Sequence, residues 1–380
     1  MRTRPILALV TVIAAAAFQP AVSQNLRSAQ GVGDPCEFAV LELSDLDRVN
    51  ARSCANEATY LQISESQLAI LPVAGESVSA FYVADASGIS PTDYSIYHSE
   101  SSGIGVQLAE PVIAGQPLAE STATFGSTQA IEEFQDLSLE AGTAKPLDEG
   151  HDPRRKAIQK PCISTEYASL GWRQSRPVEW RWSTLPYPGD SAMAGYGAPA
   201  IIAARWITTP KSVCEGLPAP GSNGLPEWGP KQNYLGLTSA RGPNVSVPPP
   251  GAAGSVTCAP PDGFNTAGLY SLSQGFSDRG RPLAVACVHS TVSGGPYDSD
   301  IAFDLRRNWN DDLTRCVTPW SPNGVEVYDM YTVALHEWGH VYGLGHVPAI
   351  TQQIMRPAFG ACERMHGLGS GDWYGLLYYG

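Results

Sequence analysis

The chain has 380 residues, 43% hydrophobic and only 16% charged, a globular composition with ample material for a core. Its formal net charge of −13 excludes nucleic-acid binding by phosphate neutralisation. Glycine (38) and proline (31) are plentiful, so long loops are expected.

The N-terminus, "MRTRPILALVTVIAAAAFQPAVSQ", has the three parts of a secretory signal. Arg2 and Arg4 precede an apolar run over 6–18, and Ala21-Val22-Ser23 supplies small residues for cleavage. Residues 1–23 are expected to be removed, leaving a secreted, extracellular protein. No later segment has the ~20 apolar residues of a membrane helix, so no membrane partner is expected after cleavage. Residues 24–145 read as a β-rich region: "EFAVLEL", "SVSAFYVA", "YSIYH" and "GIGVQLA" lie between Gly, Ser and Pro breaks. It holds no catalytic cluster, and His98 stands alone as a structural histidine. The region is either a removed propeptide or a retained accessory domain. A polar linker, 146–161, follows with Pro146, Pro153, Pro161 and the basic run Arg154-Arg155-Lys156.

Residues 162–380 form the expected second domain. "PVEWRWSTLPY" reads as a strand, and "APAIIAARWITTP" as an amphipathic helix carrying Ile201, Ile202, Ala204, Trp206 and Ile207. A Pro/Gly-rich insertion at about 216–263 is expected to hold little regular structure. "RPLAVACVHSTVS" and the shorter "DSDIAFD" are strand candidates. Eight cysteines, an even count in an exported chain, point to disulfides. Proximity pairs Cys36 with Cys54; Cys214 with Cys258 and Cys316 with Cys362 are expected further on, and Cys162 is expected to be bonded rather than free.

The chemistry concentrates in "HEWGHVYGLGH", residues 336–346, which holds three of the chain's seven histidines. On a helix capped by Asp329, His336 and His340 lie one turn apart on one face and suit a shared metal ion. Glu337 sits ~100° around the helix, placed to reach a metal-bound water without ligating the ion. Tyr331, Leu335, Trp338 and Tyr342 form an apolar stripe that buries the helix. Gly343 takes positive φ at low cost, ending the helix so that His346 can return as a third ligand. Three protein ligands leave one position open, the catalytic rather than structural zinc arrangement.

This spacing is the HExxHxxGxxH signature of metzincins. Met355 in "QQIMRPAFG" resembles their Met-turn methionine. "YDMYTVALHEWGHVYGLGH", "IMRP" with Pro357, "LGSGDWYGLLYYG" with Asp372, "LAVA" and "IAFD" resemble the matrixin branch over roughly 170–380. The resemblance implies an α+β fold: a twisted mixed sheet with an active-site helix and Met-turn, here preceded by the smaller β-rich region. It also implies one catalytic Zn2+. Matrixins often hold a second zinc through histidines where this chain has Val285 and Ala302, so a single zinc is expected. Arg307 stands where an acidic calcium ligand belongs; Ca2+ at Asp298, Asp300 and Asp304 and a plain acidic loop both remain open. His289 and His366 are read as structural. The "PRCGxPD" latency motif of matrixin propeptides is absent.

The reading is a secreted zinc endopeptidase acting on protein or peptide substrates, with His336, His340 and His346 as ligands, Glu337 as general base, and Met355 and Gly343 as structural supports. The strand "AVACVHS" is expected to offer a free edge to an extended substrate, and "RPAFGACE" to shape a side-chain pocket. The alternatives are a zinc hydrolase of cell-wall peptide crosslinks and a non-catalytic secreted binding protein. The sequence leaves the oligomeric state open.

Overall fold

The computed structural model describes residues 40–48, 60–64, 67–86, 91–109, 122–139, 160–174, 176–185, 191–246, 256–272, 282–292, 295–310 and 326–380. The expected signal peptide, most of the linker with its basic run, and Cys36, Cys54 and Cys316 lie outside these residues.

Ten strands form one mixed sheet: β1 (Glu76–Asp85), β2 (Tyr94–Ser99), β3 (Gly103–Ala109), β4 (Thr122–Gly126), β5 (Val178–Ser183), β6 (Gln232–Thr238), β7 (Asn265–Tyr270), β8 (Pro282–Thr291), β9 (Gly295–Asp304) and β10 (Ala358–Phe359). The spatial order is β6-β5-β7-β9-β8-β1-β2-β3-β4, with β10 beside β1. Strands β6, β5, β7 and β9 run parallel, and every pairing from β9 through β8 to β4 is antiparallel. Four helices are described: α1 (Thr128–Leu139), α2 (Ser191–Ile207), α3 (Met330–Val341) and α4 (Ser370–Tyr379). This mixed sheet with few helices is α+β.

Period-two alternation aims the strands. In β5, Val178, Trp180 and Trp182 are buried while Glu179 and Arg181 are exposed. Those three side chains join a core with α2 (Ala200, Ala203, Ala204, Ile207), α3 and α4 (Trp373, Leu376, Leu377). Because α3 lies inside this core, all twelve of its residues are buried, and its apolar character extends around the helix. A second core covers the other side of the sheet. It gathers Leu41, Leu61, Val78, Ala80, Tyr82, Ile96 and Val106 with Val285, Cys287 and Ala302. Val285 and Ala302 are register partners across β8 and β9. At the two positions where matrixins often hold a structural zinc, this chain therefore buries an apolar pair under its own N-terminal strands.

Two expectations are corrected here. The stretch 216–263, expected to hold little regular structure, contributes β6, an outer strand of the main sheet. Its Pro/Gly punctuation masks a strand that takes its order from pairing with β5. The edge of β8 is likewise not free. Strand β1 pairs along it antiparallel, from Ala84 opposite Pro282 to Glu76 opposite Thr291. Residues 35–380 accordingly form one compact unit by contact.

The disulfides also differ from expectation. Cys162 bonds Cys214, and Cys258 bonds Cys287. Cys214 and Cys258 are thus not partners. Cys258 lies in the core that includes Cys287 of β8, whereas Cys214 follows α2, so the fold keeps the two apart. Cys162 is bonded, as expected. Cys362 is bonded as well.

Candidate metal centre and catalytic site

Helix α3 begins where the sequence places it. Asp329 is in extended conformation and its carboxylate accepts from the Thr332 N–H at 3.0 Å, satisfying a first-turn donor. The same carboxylate accepts from His366 Nε2 at 2.7 Å, and the His366 ring lies on Tyr331 at 4.1 Å. His366 thus braces the helix start. His289, on β8, donates from Nε2 to the Ala259 carbonyl at 3.0 Å, and burial lowers its pKa to about 4. His98 is buried against the Pro72 carbonyl. None of these three belongs to the group formed by His336, His340 and His346.

At the other end the helix stops as its residues dictate. Gly343 has φ +90°, and its N–H donates to the His340 carbonyl at 2.9 Å. The chain turns, forms a short antiparallel pair of Leu344–Gly345 with Ala168–Ser169, and brings His346 back. The three Nε2 atoms form a tight triangle: His336 to His340 is 3.0 Å, His336 to His346 is 3.1 Å, and His340 to His346 is 3.2 Å. A tetrahedral ion with bonds of 2.0–2.1 Å separates its ligands by about 3.3 Å.

Each ring is held by its other nitrogen. His336 Nδ1 lies 2.7 Å from the Ile354 carbonyl, His340 Nδ1 2.7 Å from the Leu344 carbonyl, and His346 Nδ1 2.7 Å from Asp93 Oδ2. Acceptors at all three positions place the protons on Nδ1, so the three Nε2 lone pairs converge on one point. Burial, then the neighbouring histidines, push His336 and His340 well below the ordinary imidazole range. Neutral imidazoles with converging lone pairs call for a cation between them. Among the described residues no other three His, Cys, Asp or Glu side chains gather within ligand reach. Asp298 and Asp300 lie against each other, so that burial and their mutual charge raise the pKa of Asp300, while Asp298 accepts from the Gly263 N–H, Asp300 from the Thr266 N–H, and Asp304 faces Arg307.

Glu337 is wholly buried, and neither carboxylate oxygen has a hydrogen-bond partner among the described residues. Burial first, and the charge of Asp93 second, raise its pKa well above the usual carboxylate value. Met355 packs beneath the helix at Gly339, where a Cβ would lie 2.2 Å from its Sδ; only glycine allows that approach. The turn carrying Met355 is fixed by Asp372, the N3 residue of α4. Its carboxylate accepts from the N–H groups of Ile354 (2.9 Å), Met355 (3.2 Å) and Gly369 (2.8 Å). Burial raises the pKa of Asp372 to about 6 against those three bonds. A line of contacts therefore runs from α4 through the turn to the His336 ring.

His336, His340 and His346 meet at this one place, with Glu337 buried next to His336 in the chain, Gly343 at the turn that returns His346, and Met355 beneath Gly339. Two neighbours were not foreseen, and both come from the N-terminal region. The Phe81 ring stacks on His340 (centroids 4.6 Å apart, planes 18°), and Asp93 holds His346. Asp93 in "SPTDYS" carries no signal that separates it from an ordinary turn aspartate. The matrixin family model, peptidase family M10, matches residues 270–378. A search of the curated proteins finds no match.

Proposed function

We infer from the matrixin-like C-terminal part of the chain that the protein is a zinc-dependent endopeptidase, with His336, His340 and His346 as zinc ligands and Glu337 as general base. The observation that carries this reading is the convergence of three Nδ1-anchored histidines beside a buried, unpaired carboxylate. A structural zinc site has no use for that acid.

Zinc held there supplies Lewis acidity toward the attacking water and the scissile carbonyl. The protein's own residues supply the rest. Glu337 takes the proton of the attacking water on a carboxylate oxygen and hands it to the departing amine. With no hydrogen-bond partner among the described residues, its lone pairs stay available for that proton. The carbonyls of Ile354 and Leu344 and the carboxylate of Asp93 hold the rings in the tautomer that presents Nε2. Met355, seated against Gly339, fixes the floor under the ligands. The protein is proposed to be exported: residues 1–23 have the pattern of a signal peptide, and disulfides such as Cys162–Cys214 and Cys258–Cys287 persist in oxidising compartments. No helix among the described residues is long and apolar enough to cross a membrane.

The test is cleavage of a quenched peptide library by purified protein, with chelator and with zinc restored, beside a digest of cell-wall peptide crosslinks. Peptide cleavage lost to chelator and restored by zinc supports the assignment. Zinc-dependent release from crosslinks alone moves the substrate class to the cell wall. Tight zinc binding without any hydrolysis of either substrate refutes it.

A further inference from the structure

Two main-chain carbonyls fix the two helix histidines, and they belong to different loops. The Ile354 carbonyl, just before Met355, holds His336 Nδ1, and the Leu344 carbonyl, just after α3, holds His340 Nδ1. Residues 162–170 form a strap that touches both loops. The Glu166 carbonyl accepts from Gln353 Nε2 at 2.8 Å. Further along, Ala168 and Ser169 pair with Gly345 and Leu344, and the Leu170 N–H donates to the Gly343 carbonyl at 2.8 Å. Gln353 is 0% exposed and uses both ends of its amide, for its Oε1 accepts from the Asp372 N–H at 2.7 Å. That bond satisfies a first-turn donor of α4. Gln353 therefore joins the strap to α4 at the residue before Ile354. Gly371 keeps the junction open, since a Cβ there would collide with the Glu166 carbonyl oxygen and the Gln353 amide. The start of the strap is anchored as well. Cys162 is bonded to Cys214, and its carbonyl accepts from Ser370 Oγ at 3.3 Å.

We propose that Gln353 is a positioning residue for the metal: through it the strap holds the Ile354 and Leu344 carbonyls, and so the His336 and His340 rings, in one fixed relation. The proposal rests on the zinc reading of the three histidines. Its physical basis is ring rotation. The helix fixes where the two rings begin, but each ring aims its Nε2 at the metal only when turned correctly, and the carbonyl bonded to its Nδ1 sets that turn. The two carbonyls lie on loops that α3 does not itself order. A direct bond between the same loops, from the Val347 N–H to the Met355 carbonyl at 3.0 Å, lies on the His346 side. The Gln353 amide supplies the tie on the His336 side. It needs a donor and an acceptor at once, which only an amide of this length provides. A glutamate carboxylate has no donor for the Glu166 carbonyl, and a methionine thioether has neither a donor nor a strong acceptor.

The experiment uses the full chain and three variants: Gln353→Met, Gln353→Glu and, as a control, Leu61→Ala in the other core. Gln353→Met keeps the volume and loses both bonds. Gln353→Glu keeps the acceptor for the Asp372 N–H and loses the donor to Glu166. Zinc affinity is measured by competition with a chelator, and ligand geometry by the visible absorption of the cobalt form. Both Gln353 variants should bind zinc about 10–100-fold more weakly and shift the cobalt bands. Leu61→Ala should unfold at lower urea while keeping both signals. A Gln353 that only fills space predicts that same result for its own variants. Parental zinc affinity and cobalt spectrum in either folded Gln353 variant therefore overturn the proposal. A further measurement needs no variant. If the strap holds the ligands, bound zinc holds the strap by the same factor, so zinc should slow hydrogen exchange at the Leu170 and Asp372 N–H groups on the order of 10-fold more than at Leu61. Equal protection at all three positions overturns the proposal even where neither variant folds. None of these readouts involves turnover, so their failure leaves the endopeptidase reading standing. A parent chain that binds no zinc refutes that reading and the proposal with it.

Discussion

Gly343→Ala probes the turn that returns His346 to the site. Two costs can be read from the structure. The first is backbone strain: at φ +90° a residue with a Cβ is disfavoured by about 1–2 kcal/mol. The second is a collision, since the added Cβ would sit 2.6 Å from the Trp172 carbonyl oxygen. That oxygen is backbone and cannot rotate away. The Leu170 N–H donates to the Gly343 carbonyl at 2.8 Å, and Ser169 and Ala168 pair with Leu344 and Gly345, so the two segments are tied together. Overpacking of this kind costs roughly 1–3 kcal/mol. The sum, about 2–5 kcal/mol, is a large part of the ~5–15 kcal/mol that stabilises a typical domain. Zinc affinity should fall too, because the Leu344 carbonyl anchors His340 and the same turn delivers His346; shifts in such supporting contacts cost about 10–100-fold. Urea unfolding of the metal-free protein, followed by tryptophan fluorescence, gives the first number. Zinc titration against a competing chelator gives the second. A variant within ~0.5 kcal/mol of the parent and with unchanged zinc affinity would refute the account of the turn.

Glu337→Gln should retain zinc yet lose turnover by about 10²–10⁴-fold or more; near-parental cleavage by a zinc-loaded variant would remove Glu337 from the role of base. Elemental analysis should find one zinc per chain, and His346→Ala should weaken its binding sharply; a second tightly held zinc would mean that side chains elsewhere ligate it, because Val285 and Ala302 offer no donor atom. His289 supplies a pH dependence. Its folded pKa of about 4 lies below the unfolded value of about 6.5. Between those values the unfolded chain binds the extra proton, so stability is full above pH ~6.5 and falls toward pH ~4, by about 3 kcal/mol from this group. His289→Gln should flatten that part of the stability profile; an unchanged acid limb would show that His289 does not titrate as its burial implies.

What the sequence by itself determined is what short-range geometry controls. Two histidines four apart share a helix face whatever the rest of the fold does, and a glycine three residues later is a place where a helix can stop. The gathering of His336, His340 and His346 and the N-cap Asp329 were therefore legible in "YDMYTVALHEWGHVYGLGH", and "PVEWRWSTLPY" showed its own alternation. Only the tertiary structure decided the partners. Any strand's N–H and C=O groups fit any other strand's, so nothing in "SVSAFYVA" names "LAVACVHS" as its neighbour, and the β8 edge read as free. The same holds for Cys162 with Cys214, for β6 within a Pro/Gly-rich stretch, and above all for Asp93 against His346, 253 positions apart in the chain. Those contacts arise because burying the apolar faces of β1 and β8 in common cores brings distant segments together, and burial specifies that a face be covered without specifying, in local sequence, by what.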